Sequence, residues 1–357
     1  MTPEERLSLI KEVGEEIIEE NELLELLKNK KKLIAYDGFE PSGRMHIAQG
    51  VLRVINVNKM VKAGCKFIML VADWHSWANN KLEGDLDKIH IAGEYFIEIW
   101  KACGMDTKNV EFVWASDLLD NKEYWKTVMQ IATKSTVSRI IRCCQIMGRD
   151  EKEQLYASQI FYPCMQAADI FHLKADICQL GMDQRKVNIL ARELGEKLGY
   201  WKPIIVSHHM LMGLSEPPKT NESAKERAIT LKMSKSKPET ALFMDDSEED
   251  VKNKIKKAYC PEKQIKENPI LEYYKYILFE RYKKIEIERP EKFGGNIAFN
   301  NYQDLEKAYE NGSIHPADLK SAAAKYINEL LEPVRKHFSS GEQKKLMEKV
   351  KSFRVTR

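Results

Sequence analysis

The chain has 357 residues, a length that suits about two domains. Its 43% hydrophobic and 31% charged residues are typical of a globular protein, and no apolar run reaches the roughly 18 residues that a membrane-spanning helix needs. The net charge of +3 is uneven, because residues 251–357 hold 23 basic and 15 acidic residues (+8), which leaves −5 for residues 1–250. The basic segment is either a surface for nucleic-acid phosphates or a solvated lysine-rich helical surface.

The cysteine pattern bears on the compartment. The seven cysteines form no CxxC pair and their number is odd. Such a pattern indicates reduced thiols in an intracellular protein and argues against a disulfide framework or a zinc site. We therefore expect a cytoplasmic protein with no metal site of its own and no membrane partner, although the sequence does not separate cytosol from organelle.

Alternating strands and helices are predicted in the first two thirds of the chain. A capping box from Thr2 to Glu5, with Pro3 at the first helical position, predicts the start of the first helix. Short apolar runs predict buried strands, and apolar residues at helical spacing predict the helices between them. In chain order the predicted elements are a helix within 1–30, a strand at 33–36, a helix at 46–61, a strand at 67–72, a helix at 85–103, a strand at 110–114, a helical segment at 117–161, a strand at 175–180, a helix at 183–198 and a strand at 203–206.

This order predicts an α/β fold in two parts. Residues 31–245 should form a doubly wound parallel sheet, a Rossmann-like catalytic domain with an insertion at 117–161. A segment rich in Pro, Ser, Lys and Glu predicts a mobile loop at 214–240. Residues 246–357 are predicted to form an all-helical domain with one break at 292–296. Ligands of such sheets bind at the carboxyl ends of the strands.

The first candidate for chemistry lies where the first strand meets its helix. Residues 41–49 read PSGRMHIAQ. Backbone N–H groups at a helix N-terminus suit a phosphate or a developing negative charge, and His46 can add a side-chain donor. A plain surface histidine on a first helical turn gives the same pattern, so this string is not decisive alone.

The second candidate lies in the predicted loop, where residues 232–236 read KMSKS. Lys232 and Lys235 can close over a triphosphate, whereas a lysine–serine linker is the alternative reading. The GxxxxGK[ST] and GxGxxG patterns are absent from the sequence, which argues against a P-loop ATPase or a dinucleotide-dependent dehydrogenase.

Together the two strings resemble the HxGH and KMSKS signatures of class I aminoacyl-tRNA synthetases. The second signature is intact, but in the first Ala48 replaces the family's glycine. Gln49 replaces the second histidine and cannot become a cation. The resemblance implies that His46, Gln49, Lys232 and Lys235 are catalytic. It implies an ATP site formed by Gly38, Ser42, Gly43, His46, Met233, Ser234, Lys235 and Ser236.

A third constellation follows Tyr162. Pro163 predicts the first position of a helix, with Tyr162 directly before it. Gln166 and Asp169 would then project from one face of this helix, three residues apart. If that face is buried, the amide and the carboxylate need hydrogen-bond partners. An exposed helix face is the alternative.

Over about residues 33–338 the chain resembles tyrosyl-tRNA synthetases of the archaeal and eukaryotic type. The resemblance rests on this helix and on further motifs. The motifs are Tyr36, GFEPSG at 38–43, GMDQRK at 181–186 and HPADLK at 315–320. In that family the residues matching Tyr36 and Asp169 bond the phenol of tyrosine. The ammonium and carboxylate end is held by the residues matching Tyr162, Gln166 and Gln184.

The resemblance implies a two-step reaction. Tyrosine and ATP would give tyrosyl-adenylate and pyrophosphate, with Mg²⁺ as counter-charge, and the tyrosyl group would pass to the 3′ end of tRNA(Tyr). It also implies a homodimer, formed through the insertion. The family residues matching Phe293 and Asp318 contact the first anticodon base, and a basic residue matching Arg142 contacts the first acceptor-stem base pair. The alternative roles are a helix cap for Asp318 and a solvated arginine for Arg142.

Three alternatives remain at the level of sequence. A tryptophanyl-tRNA synthetase could use Asp169 to accept an indole N–H. A small-molecule nucleotidyltransferase shares the first signature, although the basic tail and KMSKS argue against it. A tRNA-binding paralogue without catalysis is supported only by Ala48 and Gln49. Tyrosine-dependent exchange between ATP and pyrophosphate would separate all of these.

Overall fold

The first part of the chain is built on one six-stranded sheet. The computed structural model describes residues 1–147, 154–219, 224–235 and 237–354. The strands are Glu16–Ile18 (β1), Leu33–Phe39 (β2), Cys65–Val71 (β3), Val110–Trp114 (β4), Ile177–Cys178 (β5) and Ile204–Ser207 (β6). Their order is β1-β6-β5-β2-β3-β4, and all neighbours are parallel except β1 and β6. The predicted doubly wound sheet is therefore confirmed.

Helices connect these strands, and most of them have a buried apolar side. They are Pro3–Val13 (α1), Glu20–Asn29 (α2), Arg53–Lys62 (α3), Asp73–Ala78 (α4), Leu86–Ala102 (α5), Ala115–Leu119 (α6), Lys122–Thr133 (α7), Val137–Cys143 (α8), Ala157–His172 (α9), Arg185–Gly195 (α10) and Ala224–Leu231 (α11). Among the described residues, no helix combines the length and the apolarity that crossing a bilayer requires.

The carboxyl end of β2 is the topological switch point of the sheet. Strand β3 pairs with one edge of β2 and β5 with the other. Tyr36 thus lies opposite Ile68 on one side and Cys178 on the other. Residues just after Tyr36 border the crevice in which ligands of such sheets bind.

Two predictions for this part were wrong in detail. Residues 1–30 contain α1, β1 and α2, where one helix was predicted, because a three-residue edge strand is too short to show a periodic pattern. The predicted loop at 214–240 contains helix α11, whose eight residues were hidden in a polar, lysine-rich context.

The described residues from Glu248 to Arg354 form helices, loops and one antiparallel hairpin. The elements are Glu248–Lys257 (α12), Pro269–Tyr273 (α13), Phe279–Arg281 (α14), Ile285–Ile287 (β7), Ile297–Phe299 (β8), Tyr302–Glu310 (α15), Pro316–His337 (α16) and Gly341–Ser352 (α17). The prediction of an all-helical domain is corrected at the antiparallel pair β7–β8. Ile285 and Ile287 are buried and Glu286 is exposed, a period of two that lasts only three residues.

Candidate active site

A cavity of about 790 Å³ opens at the carboxyl ends of β2 and β5. It brings together almost all residues that the sequence predicted for tyrosine and ATP. These are Tyr36, Gly38, Ser42, His46, Gln49, Tyr162, Gln166, Asp169, Gln184, Lys232, Met233, Ser234 and Lys235. Gly43 does not line the cavity, and Ser236 lies outside the described residues.

Asp169 and Tyr36 form the closed end of this cavity. Asp169 is 1% exposed, and its Oδ1 accepts a 2.7 Å hydrogen bond from the Tyr124 hydroxyl. Its Oδ2 lies 3.0 Å from Nε2 of His75, without hydrogen-bond geometry. The Tyr36 hydroxyl is buried and, among the described residues, has no partner of normal hydrogen-bond geometry, although Gln166 is near. The Tyr36 hydroxyl thus lacks a hydrogen bond and Asp169 Oδ2 has only its contact with His75, so both can pair with a ligand.

Burial keeps the tyrosines around Asp169 neutral. Loss of hydration raises the pKa of Tyr36, Tyr124 and Tyr162 well above the ordinary value, and the Asp169 carboxylate adds to the effect. Burial alone would lower the pKa of His75, but the adjacent Asp169 raises it overall. The closed end therefore combines neutral hydroxyl groups with one carboxylate and a histidine whose pKa is raised.

A chain of amides lies beside the phenolic groups. The Gln166 Nε2 donates to Oε1 of Gln184 over 3.1 Å, and the Gln184 Nε2 donates to the Ile146 carbonyl over 3.1 Å. Gln166 Oε1 is buried and keeps no partner among the described residues. This free acceptor points to a donor on the ligand, such as an ammonium group, because a buried carbonyl oxygen left unpaired is costly.

The helix that carries these residues begins earlier than the sequence indicated. Pro163 was predicted at its first position, but α9 begins at Ala157, and Tyr156 and Gln159 form its capping interactions. Pro163 therefore lies inside the helix and leaves the Gln159 carbonyl without its usual backbone donor. The Cys144 thiol occupies that acceptor, with Sγ 3.4 Å from the carbonyl oxygen. This local contact explains how a proline is accommodated there.

The first signature also lines the cavity, through His46, Ala48 and Gln49. Residues Ala48–Leu52 take a π-helical turn, and the Trp100 indole donates 2.8 Å to the Gln49 carbonyl. Burial lowers the pKa of His46 well below its ordinary value, and Lys235 and Lys232 lower it further. His46 is therefore a neutral imidazole that can donate or accept a hydrogen bond. Gln49 Oε1 is buried and unpartnered among the described residues.

The second signature places its two lysines in different settings. Lys232 Nζ pairs with Oδ2 of Asp183 at 2.6 Å. Lys235 Nζ donates 3.0 Å to the Ser42 hydroxyl and lies 4.8 Å from the centre of the Phe96 ring. Burial lowers the pKa of Lys235 to about 7, and the nearby Lys81 contributes in the same direction. An anionic ligand such as a phosphate would raise the pKa of Lys235 again and keep its ammonium charged.

Sequence reasoning missed a buried network behind the cavity. Arg53 is 1% exposed and donates 2.9 Å to Asp37, and it also contacts Gln179 and His208. Burial raises the pKa of Asp37 to about 7 although Arg53 opposes the shift. An arginine flanked by Leu52 and Val54 on an apolar helix was the available signal, since a buried charge needs a partner. Tyr124 and His75 gave no comparable signal.

The three residues predicted to contact tRNA lie outside the cavity. Phe293 is 61% exposed in the loop of the β7–β8 hairpin, followed by Gly294 and Gly295 with φ of +95° and +68°. Asp318 lies in the first turn of α16. Arg142 is exposed on α8. Their roles stay predictions.

Comparison with known proteins agrees with this geometry. Residues 28–332 match the family model for tRNA synthetases class I (W and Y). The chain is 52% identical over 358 residues to the cytoplasmic tyrosine–tRNA ligase 1 of Arabidopsis thaliana, covering 99% of this chain and 90% of that one. It also resembles the tyrosyl-tRNA synthetase of Pyrococcus horikoshii solved with L-tyrosine (TM-score 0.91, 38% identity, 99% and 100% of the two chains). The Leishmania major enzyme with tyrosinol gives a TM-score of 0.89 at 45% identity, but this chain, 99% covered, spans only 53% of that one.

The sheet, the cavity with its two signatures and the matching family model define a class I aminoacyl-tRNA synthetase. Within that class, the chain belongs to the tyrosine–tRNA ligases, as the identity to such enzymes over nearly its whole length establishes. The tryptophanyl and nucleotidyltransferase alternatives are thereby set aside.

Proposed function

We propose that the cavity activates L-tyrosine with ATP and that the tyrosyl group then passes to the 3′ end of tRNA(Tyr). One observation carries the proposal: the Asp169 carboxylate, held by Tyr124, lies with an unpartnered Tyr36 hydroxyl in one cavity with His46 and the two signature lysines. A phenol group and a triphosphate can thus be bound in the same enclosed space.

Recognition of tyrosine follows from paired polar groups at the closed end. The substrate hydroxyl donates to Oδ2 of Asp169 and accepts from the Tyr36 hydroxyl. Phenylalanine fills the same space but leaves the carboxylate and the hydroxyl buried without partners, which costs about 1–3 kcal/mol for each group. At the other end of the substrate, Tyr162, Gln166 and Gln184 bind the ammonium and the carboxylate.

Activation requires no side-chain nucleophile. The tyrosine carboxylate attacks the α-phosphorus of ATP in line, a P–O bond forms, and the bond to pyrophosphate breaks. Neutral His46 donates a hydrogen bond to the phosphate oxygens, Gln49 adds an amide donor, and Lys232 and Lys235 bind the leaving phosphates. Catalysis is therefore positioning together with stabilisation of charge.

Magnesium fits this cavity as a companion of ATP. Glu40 accepts from Asn79 at 3.0 Å and Asp183 pairs with Lys232 at 2.6 Å, so neither carboxylate is an uncommitted ligand. Mg²⁺ often keeps its waters and binds chiefly to substrate phosphates, where it neutralises part of their charge. Magnesium would therefore be held chiefly by the ATP phosphates, with water completing its shell.

A cytoplasmic homodimer completes the proposal. The segment 117–161 exposes large apolar side chains, which mark interaction surfaces when they cluster. They are Trp125 (36% exposed), Met129 (53%), Val137 (68%), Tyr156 (68%) and Phe161 (46%). The mass in solution, measured by light scattering, checks the dimer.

Exchange of labelled pyrophosphate into ATP tests the central reaction. We expect exchange that depends on L-tyrosine and is not supported by L-tryptophan, followed by charging of tRNA(Tyr). Absence of exchange in a folded protein would instead indicate a tRNA-binding paralogue without catalysis, and exchange with tryptophan would contradict the substrate assignment.

A further inference from the structure

We propose that Lys351, in the last turn of α17, is an additional phosphate-binding residue: it binds the terminal phosphates of ATP and the pyrophosphate product. The proposal rests on the activation reaction proposed above and adds a cation to its phosphate end. Lys351 belongs to neither signature and lies 115 positions after the last residue of KMSKS (351 − 236).

The turn that carries Lys351 is fixed against the catalytic part of the chain. Val350 is 1% exposed, and Phe353 packs against Leu82 and Ile89. The end of α16, just before α17, is also fixed, because His337 Nε2 lies 2.7 Å from Glu98 of α5. Lys351 therefore lies on a helix that is packed against the catalytic part of the chain.

This arrangement delivers Lys351 and Phe353 to the wall of the active-site cavity. The helix on which α17 packs, α5, also carries Phe96, the ring beneath the Lys235 ammonium. One helix thus supports a lysine of the KMSKS signature and the helix that brings Lys351. Both lysines line the same cavity as Arg44 and Lys81.

The ion pair of Lys351 leaves it able to bind a ligand. Its Nζ lies 3.2 Å from Oδ2 of Asp245, a carboxylate that is 1% exposed. Asp245 already accepts from Nε of Arg44 at 3.0 and 3.1 Å, so it keeps a cationic partner when Lys351 moves. The Lys351 side chain is 40% exposed and has a flexible four-carbon stem.

Charge favours a phosphate as the ligand. Two cations share the Asp245 carboxylate. Lys235 and Lys81 line the same cavity, and Glu40 is an acidic neighbour of both. A polyphosphate carries several acceptor oxygens and charges, and charge-assisted hydrogen bonds to it are stronger than neutral ones. Tyrosine, which is neutral overall, gains nothing from a cation placed there.

Steady-state exchange kinetics of Lys351→Ala and Lys351→Arg test the proposal, with Lys349→Ala as the matched control. Lys349 lies on the same helix, is exposed and does not line the cavity. We expect Lys351→Ala to raise the KM for ATP and for pyrophosphate by roughly 3- to 10-fold, the size of one charge-assisted contact at a partly exposed position. The tyrosine KM should stay constant, Lys351→Arg should restore the ATP KM, and Lys349→Ala should match wild type.

Other outcomes overturn the proposal. Unchanged KM values for ATP and pyrophosphate in Lys351→Ala, or an equal change in Lys349→Ala, would remove the assigned role. A lower melting temperature with unchanged nucleotide KM would show that Lys351 only anchors α17. Exchange by the wild-type protein distinguishes failure of the Lys351 proposal from failure of the proposed function. If the wild type shows no exchange, the activation reaction itself is contradicted.

Discussion

The Tyr124 hydroxyl donates a 2.7 Å hydrogen bond to Oδ1 of Asp169, and both side chains are 1% exposed or less. Tyr124 comes from α7, in the insertion, whereas Asp169 comes from α9. The bond fixes the carboxylate, whose second oxygen lies 3.0 Å from Nε2 of His75. In the proposed mechanism the insertion thus contributes to amino acid recognition as well as to the dimer.

Replacement of Asp169 should weaken tyrosine binding and reduce the selectivity for tyrosine over phenylalanine. Asp169→Ala removes the charged acceptor for the phenol, so we expect the tyrosine KM to rise roughly 10- to 100-fold. The ATP KM should change little. The measurement is exchange kinetics with both amino acids, and an unchanged ratio of tyrosine to phenylalanine in folded Asp169→Ala would refute the assignment.

Tyr124, the hydrogen-bond donor to Asp169, gives a second prediction with a smaller expected effect on the tyrosine KM. Tyr124→Phe leaves Asp169 free to rotate, so the tyrosine KM should rise roughly 2- to 10-fold, the range for a single neutral donor. Tyr309→Phe is the control, because Tyr309 is equally buried and its hydroxyl donates 2.7 Å to the Pro261 carbonyl, outside the cavity. If both variants shift the tyrosine KM alike, Tyr124 has no specific role.

Lys235 should act on the transition state of activation. Lys235→Ala removes a cation from an enclosed site, and we expect kcat for exchange to fall roughly 10²- to 10³-fold with a modest change in KM. Lys237→Ala is the matched control, since Lys237 is exposed and does not line the cavity. A wild-type rate in Lys235→Ala would reduce the KMSKS segment to a linker.

The pH dependence of ATP use should follow Lys235. In the free protein the pKa of Lys235 is about 7, lowered by burial from 10.5, so the ammonium is charged below about pH 7 and loses its proton above it. ATP binding favours the charged form, hence kcat/KM for ATP should decline as the pH rises above about 7, where binding must also take up a proton. Lys235→Arg stays charged and should flatten this decline. A decline that persists in the arginine variant would assign it to another group, such as Asp37.

Residues that form contiguous strings were predictable from the sequence, and residues that meet from distant elements were not. His46 and Lys232 belong to two recognisable strings, and both line the cavity. Tyr124 carries no local signal, and Arg53 carries only that of a charge between apolar neighbours. Their importance arises from partners 45 and 126 residues away, Asp169 and Gln179. The β7–β8 hairpin was not predicted for a related reason, since pairing between distant residues, not local periodicity, stabilises its three-residue strands.

Arg142 is predicted to read the first base pair of the acceptor stem. It is exposed on α8, whereas Arg139 on the same helix pairs with Glu193 at 2.9 Å. Swapping that base pair in tRNA(Tyr) should reduce charging by wild type far more than charging by Arg142→Ala. Arg139→Ala should behave as wild type. Equal losses in wild type and Arg142→Ala would rule out the contact.

The anticodon should be read by Phe293 and Asp318. Phe293 is 61% exposed, and the two glycines after it hold the loop in a left-handed conformation that other residues rarely adopt. An exposed ring of this kind can stack on an unstacked base. The structure assigns the N-cap of α16 to His315, whose Nδ1 accepts from the Ala317 N–H at 3.1 Å. Asp318 is therefore not the cap and is available to accept from the N–H groups of a guanine.

Both side chains should matter only when tRNA is present. Stacking on an aromatic side chain is worth about 1–3 kcal/mol, so Phe293→Ala should lower kcat/KM for aminoacylation roughly 10-fold or more. Asp318→Ala should lower it too and weaken discrimination among bases at the first anticodon position. Pyrophosphate exchange without tRNA should be unchanged in both variants, which separates lost recognition from misfolding. If replacing the guanine in tRNA(Tyr) penalises both variants as much as wild type, neither residue reads that base and this part of the chain has a structural role.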